Sequence, residues 1–172
     1  MTFLHSIPFD RLLWLVPIFL TLHNLEEAPL MESWSKRLPI KLPLTITTRQ
    51  FVIAVMFITI AGFIITYIGV EYLANQTGYL LILGMQAILA FNAFVPHIAT
   101  TIRFRMYSPG VITAVLIMLP FSYYLFLRAF EEGILNWTQF WIMLGISPFA
   151  VALIALLSLQ VGKAFDKKSK LT

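Results

Sequence analysis

At 172 residues, 59% of them hydrophobic, 12% charged and 15 of them phenylalanine, the chain carries more apolar surface than a water-soluble core of ordinary composition can bury. It reads as a membrane protein. With no cysteine, disulfides, thiolate metal sites and cysteine nucleophiles are excluded, and the net charge of +4 does not argue for nucleic acid, because basic residues beside apolar spans are what bilayer topology requires.

A helix needs about 20 apolar residues to cross a hydrocarbon layer of about 30 Å. Five segments meet or approach that length, at 10–28, 50–71, 78–101, 109–131 and 137–162. The predicted fold is all-α: a polytopic bundle of five transmembrane helices forming one integral membrane domain over residues 1–172, without repeat or linker. The start MTFLHSIPFDR lacks the basic region of a secretory signal, and no small-residue cleavage site follows, so the first span is expected to be retained. Ten of the twelve Lys and Arg residues fall in the 36–49 loop, at Arg103 and Arg105, and in the tail from Lys163. This bias predicts an N-terminus outside and a C-terminus in the cytoplasm; the expected location is a bacterial inner membrane.

The first span ends in LTLHNLEEAP, residues 20 to 29. Pro29 and the charged loop beyond it place His23 six residues, or about 9 Å, inside the cytoplasmic end. At about 100° per residue, His23, Glu26 and Glu27 share one flank of the helix. Adjacent carboxylates at that depth are costly unless they are paired, protonated, solvated or bound to a cation.

The third span supplies a second histidine. In QAILAFNAFVPHIATTIRFR, His97 lies six residues before Arg103, level with His23. Gln86 shares the His97 face about 16 Å deeper, and Thr101 lies one turn shallower. Asn92 falls off that face in an ideal helix, although Pro96 bends the path. The fourth span opens with MYSPGVIT, residues 106 to 113, where Ser108 suits an N-cap, Pro109 the first turn and Gly110 a close approach. Tyr107 and Thr113 offer hydroxyls near the same layer.

The chain here resembles the HXXEE-domain integral membrane proteins. The resemblance rests on His23-Asn24-Leu25-Glu26-Glu27, on His97 preceded by Asn92, and on Tyr107-Ser108-Pro109-Gly110, in that order. It implies that these positions form the family's characteristic site, and it implies no particular reaction.

Imidazole and carboxylate together suit zinc, iron or manganese, with His23, Glu27 and His97 as ligands and Glu26, Glu27 and Tyr107 as acid-base groups. Gln86, Asn92, Thr101, Ser108, Gly110 and Thr113 are the expected supporting or substrate-contacting positions. Taken singly, each residue also suits a structural hydrogen bond; the level depth of the two histidines favours a shared site. The expected function is a small membrane enzyme, a metal-dependent hydrolase or oxidoreductase, acting on an apolar or lipid-like molecule. A metal-free acid-base isomerase is the alternative, as are a transporter, whose outer-leaflet relay is missing, and a scaffold using the basic loop and tail. Expected partners are membrane lipid, a small-molecule substrate and a second copy of the chain that would complete the pocket.

Overall fold

The computed structural model describes residues 6–40 and 46–169, and those residues form seven helices. Two short N-terminal helices, α1 (Phe9–Leu13) and α2 (Leu15–Glu27), precede the brief α3 (Met31–Arg37). Then follow four long helices, α4 (Thr48–Leu73), α5 (Gln76–Phe104), α6 (Val111–Glu131) and α7 (Trp137–Ser169). These four are long and apolar enough to cross a membrane.

The expected first span is thus broken in two at Trp14. Pro17 has no N–H to give the carbonyl of Leu13, so the ladder cannot run unbroken through the start of α2. At 13 residues α2 is about 20 Å long, short of a full crossing by itself.

Local chemistry sets the other boundaries. Thr47 accepts from the backbone N–H of Gln50 while the Gln50 side chain accepts from Thr47, a reciprocal cap that starts α4. Asn75 caps α5 through the N–H of Gly78 at 3.1 Å. Between them the chain turns through Ala74, in the left-handed region at φ 45°. The Gly69 and Gly78 backbones then approach so closely that a side chain on either would strike the other helix.

The core is made by Leu12, Leu13, Val16 and Leu20 packing on Ile82 and Leu83 of α5 and on Met118 and Leu125 of α6. Helix α7 lies against α4 and α5 and turns Ile142, Phe149 and Leu153 outward. Such an exterior suits lipid rather than water.

Glu32 on α3 ties this short helix to the start of α4. One oxygen accepts from the Thr48 N–H at 2.6 Å and the Thr48 hydroxyl at 2.9 Å; the other accepts from Lys36 at 2.7 Å. The Lys36 hydrogen bond, followed by those of Thr48, holds this exposed carboxyl at about 2, below its ordinary 4.5. The folded-state value lies below the unfolded one, so the stability it confers is complete above 4.5 and is lost as the pH falls toward 2. Glu32→Gln should therefore flatten the pH dependence of thermal unfolding between about pH 5 and about pH 2 and leave the curve near neutrality parallel to wild type.

Candidate functional site

The two glutamates at the end of α2 point to different partners. Glu26 reaches the start of α6, where the N–H groups of Ile112 and Thr113 donate to its two oxygens at 3.1 and 2.7 Å. The Thr113 and Tyr107 hydroxyls each add a bond at 2.6 Å. A carboxylate thus meets the orphan donors and the positive dipole end of a helix it does not belong to. Partial desolvation, followed by the bond to Glu26, pushes the Tyr107 phenol up to about 12.

Glu27 turns instead into the interior, beside His23 one turn earlier on the same helix. Its Oε1 lies 3.2 Å from His97 Nε2 and 3.8 Å from His23 Nε2, and the two Nε2 atoms are 3.2 Å apart. All three side chains are buried, exposing 7%, 2% and 2% of their surface for Glu27, His23 and His97.

Hydrogen bonds at the far side of each ring fix what faces this centre. His97 Nδ1 is 2.7 Å from the Pro109 carbonyl oxygen, which can only accept, so Nδ1 carries the proton. His23 Nδ1 is 2.9 Å from the Thr113 hydroxyl, whose own hydrogen goes to the Glu26 carboxylate at 2.6 Å, so this nitrogen is also the donor. In their neutral forms both rings therefore turn an Nε2 lone pair toward each other and toward the Glu27 oxygen. Acceptors facing one point repel unless a donor, a proton or a cation lies among them, and the Asn92 amide supplies a donor from one side.

The site residues expected from sequence are distributed as follows. Asn92 is brought in: its amide nitrogen lies 3.1 Å from His97 Nε2 and 3.5 Å from His23 Nε2. The ideal-helix expectation failed because Ala93–Ala99 form a π-helix around Pro96, and i→i+5 bonding stacks residues five apart. Gly110 is in contact with the cluster, at φ 87°, with a hypothetical Cβ only 2.7 Å from His23 Cε1 and 2.9 Å from Glu27 Cγ and His97 Cε1. Ser108 is buried and lies 3.5 Å from the Pro96 carbonyl oxygen, but it is not the N-cap of α6. That position falls to Gly110, which has no side chain to offer, and Glu26 takes over the capping. Gln86 bonds to Ser122 of α6 at 2.6 Å, away from the histidines. Thr101 has a buried hydroxyl without a partner among the described residues and is not among the contacts of the cluster. Asn24 was not singled out, yet it bonds to Thr59 at 2.8 Å and fastens α2 to α4.

The cluster opens on a cavity of about 890 Å³ between α2, α4, α5 and α7. His23, Glu27, Asn92, His97 and Ser108 line one part of it, and aliphatic side chains line most of the rest.

The profile of a family described as "protein of unknown function with HXXEE motif" matches residues 14–125, about two thirds of the chain, and so covers the His23, Glu27 and His97 cluster and the Glu26 cap, while the α7 wall of the cavity lies beyond it. The chain belongs to the HXXEE family. Its lettered residues are His23, Glu26 and Glu27, which here divide between the buried cluster and the helix cap. The chain is also similar to the uncharacterised protein YrkK of Bacillus subtilis (strain 168), at 27% identity over 151 residues, 87% of this chain and 92% of that one. No solved structure matches.

Gly110→Ala tests the fit around the rings. The left-handed backbone disfavours a side chain by about 1–2 kcal/mol, and the methyl group adds steric overlap of about 1–3 kcal/mol. A fall in unfolding free energy of about 2 kcal/mol or more is expected, read by thermal or denaturant unfolding in detergent.

Proposed function

We propose that this HXXEE protein is a membrane-embedded enzyme that holds one divalent transition metal at His23, Glu27 and His97 and acts on an apolar molecule drawn from the bilayer. The observation that carries the reading is the convergence of His23 Nε2, His97 Nε2 and Glu27 Oε1, whose edges measure 3.2, 3.2 and 3.8 Å. Ligands about 2.1 Å from one ion in tetrahedral array stand about 3.4 Å apart, so the set fits a single ion with little movement. The opposite ring nitrogens already donate to a carbonyl and a hydroxyl, the arrangement that orients metal-binding imidazoles.

Two histidines and one carboxylate leave coordination positions open, which supports zinc, iron or manganese in a reactive site. Such an ion supplies Lewis acidity in a dry pocket; with zinc the class is hydrolytic, with iron or manganese oxidative as well. Asn92 is placed to bond a group held beside the two Nε2 atoms. Glu26 and Tyr107 serve as positioning residues in this reading, because the carboxylate is already engaged by its donors at the start of α6. The pair α1 and α2 is taken as a fifth crossing in a bacterial inner membrane. The C-terminus is taken as cytoplasmic on the strength of the basic residues, of which Lys41 and Lys170 lie outside the described positions. A conduit across the membrane is less well supported, since between the cluster and the Arg128–Glu132 pair at the far end of α6 the buried polar side-chain pair is Gln86 with Ser122 among the described residues.

Elemental analysis of the purified protein after exposure to zinc, iron or manganese tests the reading. Wild type should retain close to one equivalent and the His23→Ala, His97→Ala double variant almost none at equal folding. Thr113→Val should weaken metal affinity by about 10- to 100-fold through loss of the His23 partner. Wild type that retains none of the three metals would refute the proposal.

A further inference from the structure

The cavity beside the cluster has a shape, a polarity gradient and an unused hydrogen-bond donor that together describe an occupant. Along α7 it is lined from Met143 to Leu159, and sixteen residue steps at 1.5 Å make it about 24 Å long. Its volume of about 890 Å³ lies within the range of cavities that enclose a whole small ligand. Most of the polar lining side chains, His23, Asn24, Glu27, Asn92, His97 and Ser108, belong to the cluster end, and Ile65, Leu80, Leu81 and Met143 line the cavity farther along the helices. Among the described residues that line it none is Lys or Arg, and the one acidic group is Glu27. A phosphorylated head would find no counter-charge among them.

Trp34 adds the second observation. Its side chain lines the cavity and is 8% exposed, yet its indole N–H is buried with no acceptor among the described residues. Buried indole N–H groups ordinarily find a partner, and leaving one unpaired is costly.

We infer that the cavity binds an elongated single-chain lipid with a neutral oxygen head, an alcohol, aldehyde or ester, whose chain lies along α7 and whose head oxygen accepts from Trp34 beside the His23, Glu27 and His97 cluster. The inference rests on the proposed metal enzyme only for what happens to that head; the chain-binding part stands on the cavity alone. Gly84 lines the apolar wall and a Cβ there meets nothing within 4 Å, so a large side chain can enter the cavity without striking neighbouring atoms at its first carbon.

The test uses the full-length protein in lipid nanodiscs with hexadecanol carrying a diazirine at mid-chain, followed by peptide mapping of the photo-crosslinks and elemental analysis of the same samples. Crosslinks are expected on α4, α5 and α7 wall residues, suppressed by unlabelled hexadecanol and not by hexadecyl phosphate. Gly84→Phe should abolish them while keeping the wild-type metal content, and Trp34→Phe should weaken competition by hexadecanol about three- to tenfold. Crosslinks scattered over the outer faces of the helices, labelling unchanged in Gly84→Phe, or stronger suppression by hexadecyl phosphate than by hexadecanol would each overturn the inference. Metal retained without wall labelling would overturn this inference and spare the enzyme proposal. Wall labelling without metal would do the reverse.

Discussion

The arrangement of the cluster depends on one carboxylate placed at the start of a helix from another part of the chain. Glu26 receives both backbone N–H groups and the hydroxyl that α6 offers at its first turn. This fastens the end of α2 to the start of α6 and fixes the rotation of α2 about its axis. Once that rotation is set, His23 and Glu27 must face inward, because they share the adjoining strip of the same helix. The neighbouring Glu32 does for α4 what Glu26 does for α6, so two of the long helices begin at carboxylates supplied from outside them.

Much of this could be read from residue types and spacing. Apolar lengths revealed the four long helices, and counting back from charged helix ends put His23 and His97 at one depth; their Nε2 atoms are 3.2 Å apart. Adjacent carboxylates signalled an unusual environment, but not that one would be a cap and the other part of the cluster. That division is decided by the angle between α2 and α6, which no local pattern encodes. Asn92 was out of reach of an ideal periodicity because the π-helical turn around Pro96 alters the rotation between it and His97. Ser108 carried the right chemistry for an N-cap and lost the position to Gly110, whose missing side chain makes room for the two rings. Trp34 has no pattern in the sequence that marks it, and its N–H without a partner among the described residues becomes visible once the helices enclose it.

Burial explains why the outer nitrogen of each imidazole is matched. In a membrane interior a stray donor or acceptor has no water to fall back on, so each imidazole has a partner on its far nitrogen. The Asn24 bond to Thr59 and the Gln86 bond to Ser122 follow the same rule on other faces of the bundle and hold α2 to α4 and α5 to α6.

The turn from Pro109 to Thr113 touches both histidines at once, giving a carbonyl to one and a hydroxyl to the other, with Gly110 pressed between them. The protonation patterns of the two rings are therefore not independent variables. A shift of this turn by a fraction of an ångström would disturb both lone pairs together, while correct seating orients both. The centre behaves as one cooperative unit with five residues of backbone as its template, and damage at separate positions in it should combine far from additively.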